Sequence, residues 1–186
     1  MTIMRKLVAL VAVLALSAAN ASAANYTSTV SGALSATATG TQVWGLTGGK
    51  AECIGLSATA NVVAGVQTSQ EATVHYSGCQ AFFSNVHISP ATFDYTANGT
   101  VHLTNTITIT VTNVFGECTV TITPQAMSGV TYSNTGTGGI NLTRHITGII
   151  FHEAGGYPCG SGTFNNGTFT GDSHVFVSGG SLSFDP

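Results

Sequence analysis

The chain has 186 residues, of which 43% are hydrophobic and only 6% are charged. Four Lys and Arg residues stand against seven Asp and Glu residues, and they form no basic cluster. Nucleic acids and anionic lipid surfaces are bound through clustered Lys and Arg side chains, so we exclude both as partners.

The first 23 residues have the features of a secretory signal peptide. Arg5 and Lys6 precede an apolar run over residues 7–16, and Ala21-Ser22-Ala23 supplies small residues at a cleavage position. The apolar run is shorter than the about 20 residues that span a bilayer. We therefore expect a signal peptide over residues 1–23, its cleavage, and no membrane span in the mature protein.

The mature protein is expected to be one domain over residues 24–186, long enough to bury a sizeable core. Lys50 and Arg144 are its only Lys and Arg residues, which gives a formal charge of −5. Its solvent-facing side chains must therefore be mostly Thr, Ser and Asn. The expected location is secreted or at the cell surface.

Four widely spaced cysteines, Cys53, Cys79, Cys118 and Cys159, contain no C-x-x-C pair. In an exported chain this pattern predicts two disulfides rather than a zinc site. Three connectivities are open. We favour Cys53–Cys79 with Cys118–Cys159, because each of these bridges closes a loop of moderate length.

Alternation of apolar and polar residues recurs along the mature chain, and helical periodicity does not. This period of two predicts β-strands. In chain order we expect them near residues 42–46, 52–66, 72–76, 85–95, 106–112, 118–123, 130–134, 140–151 and 162–177.

Turn signals separate several of these strands. Val114 to Glu117 joins two alternating segments in an expected antiparallel hairpin, and Pro124 ends the second of them. Asn98-Gly99 and Asn166-Gly167 are turn dipeptides, and the second is expected to form a hairpin tip. The expected fold is an all-β, antiparallel sandwich or barrel with two disulfides.

Several short segments in a fixed order carry a resemblance: Tyr76-Ser77-Gly78-Cys79, residues 118–122 with Pro124-Gln125, residues 129–132, Thr147-Gly148-Ile149, Cys159-Gly160 and residues 166–171. Over residues 49–179 the chain resembles a group of exported, β-rich, disulfide-containing bacterial proteins. The resemblance implies export and an all-β fold, and it implies no activity.

Threonines would form a regular array if the hairpin strands pair, with Thr106, Thr108, Thr110 and Thr112 beside Thr119, Thr121 and Thr123. Such an uncharged array could bind ice, another ordered lattice or a polymer. The alternative is that threonine, which has a high β propensity, fills the outer face of a sheet poor in charged residues. We favour the alternative.

Enzymatic chemistry would have to come from six histidines and the acids near them. The histidines are His75, His87, His102, His145, His152 and His174. The close acid–histidine pairs are His152-Glu153 and Asp172-x-His174, and on a strand the second pair would share one face. There is no G-x-S-x-G elbow, S-x-x-K, H-E-x-x-H or calcium loop, so we predict no catalytic residue, metal or cofactor.

Carbohydrate binding needs exposed aromatic rings, and four side chains are candidates: Trp44, Tyr95, Tyr132 and Tyr157. Trp44 is flanked by Val43 and Leu46 and is expected in the core. Tyr157, in a loop beside Cys159, is the better surface candidate.

The sequence predicts a non-enzymatic structural, adhesive or binding module whose partner is a surface polymer or glycan. The alternative is a secreted hydrolase or metal-dependent enzyme with a site near His145, His152, Asp172 and His174.

Overall fold

A computed structural model describes residues 23–81, 84–114, 116–156 and 159–186. The expected signal peptide therefore lies outside the described residues, apart from Ala23. The described part of the chain contains strands and turns and no helix. Consequently, no helix in it is long and apolar enough to cross a membrane.

Sixteen strands follow one another along the described chain: β1 Asn25–Ser28, β2 Gly32–Ala38, β3 Gln42–Leu46, β4 Gly49–Val62, β5 Gly65–Gln67, β6 Ser69–Ala81, β7 Ser84–Ile88, β8 Ala91–Thr96, β9 Thr100–Leu103, β10 Ile107–Asn113, β11 Gly116–Ile122, β12 Gln125–Ser128, β13 Val130–Asn134, β14 Ile140–Gly155, β15 Gly162–Val177 and β16 Leu182–Asp185. The expected all-β class is confirmed.

The large sheet is antiparallel and closes on itself. Hydrogen-bonded neighbours run in the order β4, β6, β7, β10, β11, β14, β15 and β3, and β3 pairs with β4 again. Strand β2 also lies between β15 and β4, and it pairs with both at positions further along them than β3 does. Strands β8, β9 and β12 extend the sheet from β6, and β13 pairs with β14.

A separate three-stranded sheet, with the order β16, β1, β5, packs against one end of this closed sheet. We call it the cap sheet. Its buried side chains Tyr26 and Leu182 share a small apolar cluster with Leu34, Ile140 and Val177 of the large sheet. The main core fills the rest of the interior.

Both expected disulfides are confirmed. Cys53 of β4 and Cys79 of β6 are direct cross-strand neighbours, 3.9 Å apart between their Cα atoms. Cys118 of β11 is bonded to Cys159, which precedes β15. Each bridge joins segments that are 26 or 41 residues apart in the chain.

The expected hairpin over β10 and β11 is also confirmed. Ile107, Ile109 and Val111 face the core, and two direct threonine pairs, Thr108–Thr121 and Thr110–Thr119, lie on the outer side. The Asn98-Gly99 turn between β8 and β9 is present, with Gly99 at a φ of 86°.

The expected hairpin tip at Asn166-Gly167 is wrong, because β15 runs without a break through both residues. A register irregularity at this point lets Phe151 pair with Phe164 and Ile149 with Gly167. A Cβ on Gly167 would lie 2.9 Å from the carbonyl oxygen of Ile149. This glycine therefore permits close approach of two strands rather than a turn.

A bulge in β14 keeps its inner face continuous. Ile146 and Ile149 are both buried, while the two residues between them, Thr147 and Gly148, are both exposed. Gly148 has a φ of 73°, a conformation that L side chains rarely adopt. The extra outward residue preserves the inward alternation over the whole length of the strand.

Candidate functional site

The histidines and acids of the alternative enzyme site lie on the outer side of the sheet. His145 of β14 and Asp172 of β15 are exposed, and His174 is half-buried. Across the β14–β15 pair, His145 is opposite Thr170, Asp172 is opposite Thr143 and His174 is opposite Asn141. His174 makes a weak contact of 3.4 Å between its Nδ1 and the Oδ1 of Asn141.

His152 lies away from this group. It is exposed beyond the β14 bulge, where its Nδ1 is 3.4 Å from the Thr163 hydroxyl, and it is about 20 Å along the strand from His145. Glu153 points the opposite way and is 1% exposed, so His152 and Glu153 cannot serve one site. Within the described ranges, no three His, Cys, Asp or Glu side chains cluster as metal ligands.

The remaining histidines, His75, His87 and His102, are exposed on β6, β7 and β9.

The aromatic candidates for carbohydrate binding are not all at the surface. Trp44 is in the core, as expected, with its ring centroid 4.4 Å from that of Phe169. Tyr157 lies outside the described residues.

An interior cavity of ≈ 60 Å³ lies between the closed sheet and the cap sheet. Strands β2, β4, β6, β14 and β15 provide a mostly apolar wall, with Ala58, Leu142 and Val175 among its residues. The cap sheet provides Tyr26 and Leu182. A cavity needs at least about 10–15 Å³ of such space to hold one water-sized group, so this cavity is large enough for a small molecule only.

Arg144 is the charged residue of this cavity, and it is 2% exposed. Its Nε donates to the carbonyl oxygen of Gly171 at 3.3 Å. Its Nη2 donates to Gln42 Oε1 at 3.2 Å and to Ser173 Oγ at 2.9 Å. The guanidinium also lies 5.4 Å from the centroid of the Phe169 ring. Every one of these partners is electrically neutral.

A buried guanidinium without a carboxylate is costly. Removing an ion from water costs several kcal/mol after relaxation, and neutral hydrogen-bond acceptors recover only part of that. No ion pair involving Arg144 occurs among the residues that the structure describes. The interior therefore carries a positive charge that an anion could neutralise.

Tyrosine hydroxyls supply further hydrogen-bond donors at the cavity. Burial raises the pKa of Tyr26, Tyr95 and Tyr132 above the usual tyrosine range, and the positive charge of Arg144 partly opposes this for Tyr95. All three phenols therefore stay protonated at neutral pH. Tyr132 donates to the carbonyl oxygen of Thr96 at 2.9 Å, while the buried Tyr26 hydroxyl has no hydrogen-bond partner.

The candidate residues of the sequence analysis did not include Arg144, although the sequence carries a signal for it. Ile140, Leu142, Arg144 and Ile146 alternate with polar residues, so a strand places the arginine on the apolar face. A cation at a core position of an alternating strand predicts a buried charge, which marks Arg144 as a candidate site residue.

Comparison of the chain with protein-family models, with curated proteins and with solved structures finds no match.

Proposed function

We propose that this protein is an exported, non-enzymatic binding module that takes a small, largely apolar molecule into the cavity under the cap sheet. The observation that carries the proposal is the cavity itself. Apolar pockets with a few convergent polar groups are the usual form of small-molecule sites. Here Leu142 and Val175 supply apolar surface, while Arg144, Ser173 and Tyr26 supply polar groups.

Export is supported by two independent features. The first 23 residues have the order of charge, apolar run and small residues that signal peptides have. Both disulfides are formed, which is typical of oxidising compartments. The location is therefore proposed as secreted or at the cell surface.

The absence of a catalytic role is supported by where the polar groups lie. His145, Asp172 and His174 do not line the cavity under the cap sheet, whose polar lining residues are one arginine, two glutamines, two serines and three tyrosines. A concave site with an oriented acid–base pair is what hydrolysis requires. The cavity instead offers shape, apolar surface and fixed donors, which suit binding.

An NMR titration of the mature protein with four-carbon compounds tests this proposal. We expect saturable shifts of amide signals from residues around the cavity, with butanol and butyramide as the first probes. Ala58→Leu should abolish those shifts, because Ala58 is 5% exposed and lines the cavity. Ser57→Leu is the matched control, since Ser57 is the next residue and points outward.

Saturable binding that survives Ala58→Leu would place the ligand elsewhere and contradict the proposal. Absence of saturable shifts with every probe would also contradict it.

A further inference from the structure

We infer that the ligand carries an anionic group, and that the site is built for a short aliphatic carboxylate held by the guanidinium of Arg144. This inference rests on the proposed function and adds the chemical class of the ligand.

The charge of the cavity indicates the chemical class of the ligand. Arg144 is the only Lys or Arg residue among those that line it, and its hydrogen-bond acceptors are a backbone carbonyl, an amide and a hydroxyl. Three of the five N–H groups of the guanidinium are used by these acceptors, which leaves the two on Nη1 for a carboxylate, and such charge-assisted bonds are stronger than neutral ones. A bound carboxylate would therefore neutralise the uncompensated charge of Arg144.

The neighbouring groups donate rather than compete. Ser173 Oγ accepts a bond from Arg144 at 2.9 Å, which leaves its own proton available for an acceptor. The Tyr26 hydroxyl is buried, 7% exposed for the whole residue, and unpaired. The Tyr26 hydroxyl can therefore donate to an acceptor on a bound molecule.

The volume limits the rest of the molecule. A cavity of ≈ 60 Å³ suits a carboxylate with a short tail better than one with a long tail. The wall around the tail is made of Leu142, Val175 and small alanines, which offer it no hydrogen bonds. Longer chains would have to displace the cap sheet.

The test compares three four-carbon probes with the same shape but different head groups, namely butyrate, butyramide and butylamine, by NMR titration of the mature protein. We expect butyrate to bind at least tenfold more tightly than butyramide, and butylamine not to bind. Octanoate should bind more weakly than butyrate.

The outcomes distinguish a failure of the anion inference from a failure of the proposed binding function. If butyramide binds as tightly as butyrate, the anion inference fails and the binding module stands. If no probe binds, both fail. A chain-length series that favours octanoate over butyrate would overturn the short-chain assignment.

Variants add a second line of evidence. Arg144→Met should reduce butyrate affinity at least tenfold and butyramide affinity by much less, because only butyrate loses a charge-assisted interaction. Since this variant removes a buried network and can fail to fold, Ser173→Ala provides a milder change, with an expected loss of at least threefold for butyrate alone. An equal loss for both probes would contradict a role for Ser173 in holding the charge.

Discussion

The side chain of Gln42 holds Arg144 in place inside the sheet. Gln42 is fully buried, and its Nε2 donates to the carbonyl oxygens of Gly40 and Asp172 at 2.8 and 2.9 Å. Both amide protons are thus used, so Oε1 is left to accept from Arg144 Nη2. The amide orients the guanidinium, although the two residues are 102 positions apart in sequence.

Gly171 makes room for this arrangement. A Cβ there would collide with Gln42 Oε1, and the backbone oxygen of Gly171 itself accepts from Arg144 Nε. We expect Gly171→Ala to lower the free energy of unfolding by about 1–3 kcal/mol, as overpacking does. Urea unfolding measures it.

Gly40→Ala is the matched control. A Cβ at Gly40 meets nothing within 4 Å, and its carbonyl still accepts from Gln42. Its effect should be within about 0.5 kcal/mol. Equal effects at Gly171 and Gly40 would contradict the packing of Gln42 against Gly171.

The fold class could be predicted from the sequence, because alternation is a local signal. The predicted segments at residues 42–46, 130–134 and 162–177 coincide with β3, β13 and β15. Strands β1, β2, β9, β12 and β16 were not predicted: most are only four residues long, and β2 is rich in alanine. Such segments depend on their partners more than on their own pattern.

The cavity could not be predicted in the same way. Its polar centre combines Gln42, Arg144 and Ser173 from three strands, and one sequence does not give the strand order that brings them together. The Asn166-Gly167 dipeptide shows the limit of local signals. Its glycine is required by contact with Ile149 and Phe151 across β14, whereas a two-residue pattern indicates a turn.

Three consecutive residues of β15 test which face of the strand contributes more to the free energy of unfolding. Ser173 is 1% exposed and bonded to Arg144, while its neighbours Asp172 and His174 face outward. Ser173→Ala should cost about 1–3 kcal/mol of unfolding free energy, because it leaves a buried donor short of a partner. Asp172→Asn and His174→Ala should each change it by less than about 0.5 kcal/mol. The reverse ranking would contradict the burial of Ser173 against Arg144.

The two disulfides should contribute comparably to stability. On the loop-entropy model, separations of 26 and 41 residues correspond to about 3.5 and 4 kcal/mol. We expect the double variant Cys53→Ala with Cys79→Ala to lose about 3–4 kcal/mol, and the Cys118 and Cys159 pair to lose as much. Chemical denaturation of both, without reductant, measures this. A loss below about 1 kcal/mol for either pair would show that its bridge contributes little.

Alkaline pH should destabilise the protein through its buried tyrosines. Burial raises the pKa of Tyr26, Tyr76, Tyr95 and Tyr132 above the unfolded value near 10. Above pH 10 the unfolded chain therefore releases protons that the folded chain retains, so stability falls as pH rises. The slope is about 1.4 kcal/mol per pH unit for each tyrosine.

Ultraviolet absorbance of tyrosinate, followed beside circular dichroism, tests this dependence. The signal from the four buried tyrosines should appear together with unfolding. Formation of more than one tyrosinate near pH 10 in a protein that keeps its circular dichroism would contradict their burial, since the chain has only one other tyrosine, Tyr157.

Intermolecular NOE contacts from bound butyrate show directly whether the ligand occupies the cavity under the cap sheet, because they locate the ligand by proximity. We expect contacts from the butyrate tail to the methyl groups of Leu142 and Val175 and to the ring of Tyr26, which line the cavity. Contacts confined to exposed methyl groups, such as those of Ile54, Val63 and Val114, would contradict it.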